Sequence, residues 1–159
     1  MTTQIIEQAK AKIEQGVDPK QKDAYDRIVL AGMKVMFTKG THEQLMQGLV
    51  DAPDKLKTAV DGVIGLVGVL FKESRNTMPV VPMIMAGITL LYEGLEFMEK
   101  AGMVQVDGDS LAKTTQYYLE TLLPKLGMTP DKMQALLAQT KGVMQDPAKV
   151  AEFKQNAGA

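Results

Sequence analysis

Ala59-Val60-Asp61-Gly62-Val63-Ile64-Gly65-Leu66-Val67-Gly68-Val69-Leu70-Phe71 is the stretch on which the fold turns. At 100° per residue, Leu56, Val60, Val63, Ile64, Val67, Leu70 and Phe71 share one apolar stripe roughly 100° wide. Gly62, Gly65 and Gly68 lie on the other side, beside Asp61 and Lys72. The Val and Ile content also suits a strand, but the spacing is helical, not alternating, and a helix is expected. A glycine inside a helix costs on the order of 1 kcal/mol relative to alanine, so three of them need a compensating contact. Close approach of another backbone supplies one, and the stretch is expected to be covered on both sides.

Its partner is expected from about Thr77, with Pro79 and Pro82 confined to the opening turns. From Met83 onward the apolar arc is very wide, taking in Ile84, Gly87, Ile88, Leu90, Leu91, Leu95, Phe97 and Met98. Thr89, Glu93, Glu96 and Lys100 form a narrow polar strip, expected to be solvated, in which Glu96 and Lys100 make a favourable i,i+4 pair. The polar link from Lys72 to Thr77 is short, so the two helices are expected as an antiparallel hairpin. Gly62, Gly65 and Gly68, with Gly87 and Gly94 of the second helix, make up the candidate helix-packing face.

A helix this apolar belongs in a protein core or in lipid. The first run has about 13 residues, about 20 Å at 1.5 Å each, against a hydrocarbon core of roughly 30 Å. It also carries Asp61, and the second run reaches spanning length only by including Glu93 and Glu96. A water-soluble core is the reading taken, ahead of an oligomer interface on the glycine face and of membrane insertion.

The rest of the composition fits one helical domain over residues 1–159. A net charge of −1 lacks the basic footprint that nucleic acid requires. The absence of cysteine excludes thiolate chemistry, disulfides and cysteine-bound zinc. The N-terminus, with Glu7 and no basic run before an apolar core, does not read as a signal peptide, so the expected location is the cytoplasm or a virion. Twelve methionines and no tryptophan suit either an ordinary helical core or a surface that repacks on assembly.

Along the chain, Ile6, Ala9 and Ile13 make a thin stripe for a first helix ending at Gly16, and residues 1–16 read as a peripheral arm. Asp18-Pro19 starts a second helix expected to reach about Lys39, with Tyr25, Ile28, Val29, Gly32 and Met36 on one face and Gly40 closing it. Thr41-His42-Glu43-Gln44 fits a capping box for a short third helix burying Leu45, Met46, Leu49 and Val50. Asp51-Ala52-Pro53-Asp54 separates it from the central helix. After Gly102, the connector from Met103 to Asp109 has room for a brief extended piece. A helix capped by Asp109 or Ser110 then follows, with Leu111, Tyr118, Leu119 and Leu122 as its face and Pro124 at its end. Thr129-Pro130-Asp131 repeats the cap-and-proline start for a helix burying Met133, Leu136, Leu137 and Met144. Asp146-Pro147 repeats it again, and residues 146–159 read as a mobile tail.

No stretch carries a reaction. His42, the single histidine, is expected in solvent, with no Ser or carboxylate spaced to orient it. Asp107-Gly108-Asp109 lacks the remaining oxygen ligands of a calcium loop and reads as turn and cap. Gly62-x-x-Gly65-x-x-Gly68 lacks the strand and the Gly-Lys-Ser/Thr of a phosphate loop. Tyr117 and Tyr118 have no basic surround for stacking on a base. No catalytic residue, cofactor or metal site is expected.

In its Gly-rich apolar pair and helical ends, the chain resembles small all-helical proteins encoded among tailed-phage virion genes, such as internal head, ejection or connector-associated proteins. That resemblance rests on the overall pattern, with no single motif and no functional residue to carry over. It implies a multicopy virion component that meets the portal or the host envelope during genome delivery. The expected function is thus a non-enzymatic structural protein that self-associates or joins a larger assembly. The alternatives are a membrane-active hairpin and a small module that binds a partner helix in a methionine-lined groove.

Overall fold

The computed structural model describes residues 2–127 and residue 131, and among these the chain is all-helical, with no strand. Six α-helices follow in order: α1 (Thr2–Gly16), α2 (Lys22–Phe37), α3 (Lys39–Asp51), α4 (Lys55–Glu73), α5 (Val80–Lys100) and α6 (Gly108–Lys125). A single 3-10 turn, Pro19–Gln21, leads into α2. The helices expected after Thr129 and after Asp146 lie outside the described residues.

The centre is α5. Met83, Ile88, Leu90, Leu91, Tyr92 and Leu95 are all fully buried, because α1, α2, α4 and α6 pack around this one helix. Pro79 caps it and Pro82 sits in its first turn, where the missing N–H removes no helical hydrogen bond. The link between α4 and α5 contains Arg75 and Asn76, both left-handed at φ 58° and 60°. The amide of Asn76 donates to the Phe71 carbonyl at 3.1 Å and closes the end of α4.

Hydroxyl pairs tie neighbours to α5. Tyr25 of α2 meets Thr89 at 2.7 Å, and Tyr92 meets Thr115 of α6 at 2.7 Å, both in buried positions. Burial pushes the Tyr92 phenol up to about 12, against the opposing effect of its hydrogen bond with Thr115. At Gly32, α2 comes so near that an added Cβ would overlap the Leu90 side chain.

The α1 stripe is thin but far from peripheral: Ile6 and Ile13 are both fully buried. Lys10 of α1 reaches Glu96 at 2.6 Å and Glu93 at 3.0 Å, and Lys100 reaches Glu96 at 3.0 Å. The strip expected in solvent is therefore roofed by α1, and it survives burial because its charges are paired. Burial opposes the charged form of Lys10, but its bonds to Glu96 and Glu93 outweigh that and hold its pKa above 10.5. The Lys10 hydrogen bond, opposed by burial and helped by Lys100, holds the Glu96 carboxyl below its ordinary value.

Three expected boundaries move. The second helix stops at Phe37, and Gly40 lies in the first turn of α3 instead of ending α2. Thr38, whose hydroxyl donates to the Lys34 carbonyl, is the break between them, so Thr41 is already inside α3 and forms no capping box. The cap of α6 is Asp107, which accepts from the Ser110 amide at 2.7 Å while the Ser110 hydroxyl accepts from the Asp107 amide at 2.9 Å. Asp54 caps α4 as expected, accepting from the Lys57 amide at 3.1 Å.

Candidate functional site

The apolar stripe of α4 is buried at Val60, Val63, Ile64, Val67 and Leu70. Its glycine side is open, which corrects the expectation that neighbouring elements cover both sides. Gly62, Gly65 and Gly68 are exposed, and among the described residues a Cβ added at Gly65 or Gly68 would touch nothing within 4 Å. Only Gly62 has a neighbour, the Leu45 Cδ2 of α3 at 3.9 Å from such a Cβ. The two glycines of α5 differ: a Cβ at Gly87 would overlap the Tyr118 hydroxyl, and one at Gly94 would lie 3.4 Å from the Met36 Cε. Close packing on glycine is thus a property of α5, not of α4.

The cause is the short α3. It has no buried residue, its Leu45 is 36% exposed and its Val50 57%, so the face expected to be buried is only leaned against the protein. Beneath it opens an apolar groove of about 580 Å³ between the end of α2, α3, α4 and α5. Val63, Leu91 and Met98 belong to its floor; Leu45, Gly65 and Val69 are among its walls. Val69 is half exposed. Such a volume is in the range of binding cavities, and such a lining suits apolar surface.

His42 stands at this groove, not in open solvent. Its ring lies 5.6 Å from that of Phe37 and 4.9 Å, edge to face, from that of Phe97, and it is half-buried. This is an aromatic contact. No group of three His, Asp or Glu side chains placed to hold a metal occurs among the described residues.

A smaller cleft of about 250 Å³ separates the starts of α4 and α6. Its polar groups are already engaged: Tyr117 donates to Asp61 at 3.2 Å, and Lys113 pairs with Asp109 at 3.0 Å.

No family model, curated protein or solved structure matches the chain. The site therefore stands on its own geometry. The signal for it was in the sequence: a glycine face on α4 together with a third helix too short and too weakly apolar to cover it.

One consequence is immediate. Gly68 is helical, exposed and outside the groove lining, so Gly68→Ala is expected to raise stability by roughly 0.5–1 kcal/mol. Urea unfolding measures it; a loss of stability would mean that Gly68 is held in a contact.

Proposed function

We propose that this protein is a non-enzymatic structural component of a larger assembly, with the helical bundle around the α4–α5 hairpin as scaffold and the groove as its contact surface. The observation that carries this reading is the groove itself: an open apolar trough about 580 Å³ in volume, bordered by the exposed Val69 and Leu45. Exposed apolar surface gathered into one trough marks a place where another apolar surface docks. Glycine at 62 and 65 lowers one wall so that a helix could approach closely. With the resemblance in overall pattern, this supports a multicopy virion component that associates through helix faces.

Light scattering over a concentration series tests it. The mass is expected to rise above the 17.3 kDa of one chain as concentration increases, and Val69→Glu is expected to hold it at one chain. A wild-type mass fixed at one chain throughout, or a rise untouched by Val69→Glu, overturns the reading.

A second reading is a membrane-active hairpin, favoured by α5, the one described helix long and apolar enough to cross a membrane. Most of that helix is buried under its neighbours, so it would have to shed α1 and its ion pairs first. Absence of liposome binding at both neutral and acid pH removes this reading.

A further inference from the structure

The groove has a floor, walls and a movable roof, and their chemistry specifies a ligand. We infer that it is a binding site for a small, uncharged apolar molecule bearing an aromatic ring, seated beneath α3 against Phe37, His42 and Phe97. Such a site goes beyond the assembly reading: a ligand and an apolar partner would share the trough, and either can exist without the other.

Size comes first. A volume of about 580 Å³ lies inside the range of roughly 300–1,000 Å³ typical of small-molecule sites. The trough follows α4 from Thr58 to Val69, about 16 Å at 1.5 Å per residue. Protein interiors are packed as densely as organic crystals, yet here the buried Val63, Leu91 and Met98 have open room above them. Apolar atoms placed in that room would take the exposed faces of Leu45 and Val69 out of water.

Charge narrows the class. Among the described residues that line the trough there is no Lys or Arg, so a carboxylate or phosphate head group finds no counter-ion. The one acid in the lining is Asp61, and its carboxylate already accepts from the Tyr117 hydroxyl of α6 at 3.2 Å. Lys57, one helical turn before Asp61, stands over the same Tyr117 ring at 5.8 Å. That acid therefore has a cation at hand, and a second one has little to gain. An uncharged ligand remains.

The rings select the shape. Phe37 from α2, His42 from α3 and Phe97 from α5 all belong to the lining, with His42 at 4.9 Å from Phe97 and at 5.6 Å from Phe37. Phe37 is 41% exposed, which leaves one side of this cluster open. A further ring would join it edge-on or offset, at centroid spacings of about 4.5–7 Å. Met36, Met46 and Met98 add thioethers to the same lining, and these adapt to a ring and make favourable contacts with its edge.

Access comes from α3. It has no buried residue, and a single extended residue joins it to the chain at each end, Thr38 at ψ 132° and Ala52 at ψ 134°. An outward swing of α3 would admit the ligand with the core around α5 left intact.

N-phenyl-1-naphthylamine, an uncharged fluorophore with a phenyl and a naphthyl ring, is the probe. With the full chain, diluted until light scattering gives one chain, its fluorescence is expected to rise several-fold and to saturate at equal numbers of probe and chain. Gly65→Leu and Gly68→Leu locate it. Both glycines are exposed, and among the described residues a Cβ at either meets nothing, so both variants are expected to fold. Only Gly65 belongs to the lining. Filling the trough with Gly65→Leu is expected to weaken binding roughly tenfold, and Gly68→Leu to leave it unchanged. Phe97→Leu, which removes the ring and keeps apolar bulk, is expected to weaken it several-fold.

The site is overturned by the lack of a saturable signal, by Gly65→Leu binding as the wild type does, or by a signal that appears only as mass rises, which would put the probe between two copies. Unchanged binding by Phe97→Leu, or displacement of the probe by dodecanoate at equal concentration, would overturn the assignment to an uncharged ring. Saturable binding by a chain whose mass never rises would keep this site and sink the assembly reading. A mass rise that Val69→Glu abolishes, with no probe bound, would do the reverse.

Discussion

Gly87→Ala is expected to lower stability by about 2 kcal/mol, although alanine is the better helix former. The gain in propensity is about 1 kcal/mol, and overpacking a filled core costs up to about 3 kcal/mol. The reason is local: a Cβ there would overlap the Tyr118 hydroxyl, with Tyr118 Cζ at 2.9 Å and Val67 Cγ2 at 3.2 Å. Tyr118 is fully buried in a close-packed core, which leaves its ring little room to retreat. Tyr118→Phe in the same chain removes the overlapping oxygen and is expected to recover about half the loss. Urea denaturation of both single variants and the double variant measures the coupling. Gly87→Ala behaving like Gly68→Ala would show that α6 is not seated on α5 as described.

Lys10→Met is expected to cost a similar amount, about 2 kcal/mol, less than the 3–5 kcal/mol for breaking a fully buried pair. Glu96 would keep only Lys100, whose side chain is 62% exposed. The pH dependence follows from the directions of the two shifts. Glu96 is depressed below 4.5 in the folded chain, so its contribution is complete above that value and is lost as pH falls through the folded pKa. Lys10 is raised above 10.5, so its share is complete below that value and disappears as pH climbs through the folded pKa. Thermal unfolding of the wild type should therefore be level between these limits and fall on both sides of them. In Lys10→Met the acid fall should shrink, and the gap between the two proteins should close toward low pH. A gap that persists unchanged at acid pH would assign the Lys10 effect to its aliphatic stem.

How much of this could be read from the sequence depended on whether the deciding neighbour was near in the chain. The all-helical class, the buried stripe of α4 and the broad arc of α5 came from periodicity, which each segment carries by itself. Gly65 and Gly87 are alike in that view: each is a glycine in an apolar run. They part company only through Tyr118, thirty or so residues beyond Gly87, and through an α3 that leans on α4 without covering Gly65. The α1 stripe is thin, with Ile6, Ala9 and Ile13 alone, and the partners that Lys10 finds, Glu93 and Glu96, are in another helix. His42 was misplaced for a different reason. The break at Thr38 starts α3 early, which turns a sound capping pattern at Thr41 into ordinary interior helix and sets the imidazole against Phe37 and Phe97. Likewise Asp107-Gly108-Asp109-Ser110 offers two possible caps, and the earlier one is used, next to Val106, which the connector buries fully.

Because α1, α2 and α4 all bury their apolar stripes against α5, no earlier part of the polypeptide can complete a core alone. As the chain leaves the ribosome, Ile6, Ile13, Tyr25 and Ile28 must wait for residues 80–100 before they find their neighbours. Helix α5 is thus the one that lets the earlier helices settle, and their packing is deferred until residues 80–100 have been synthesised.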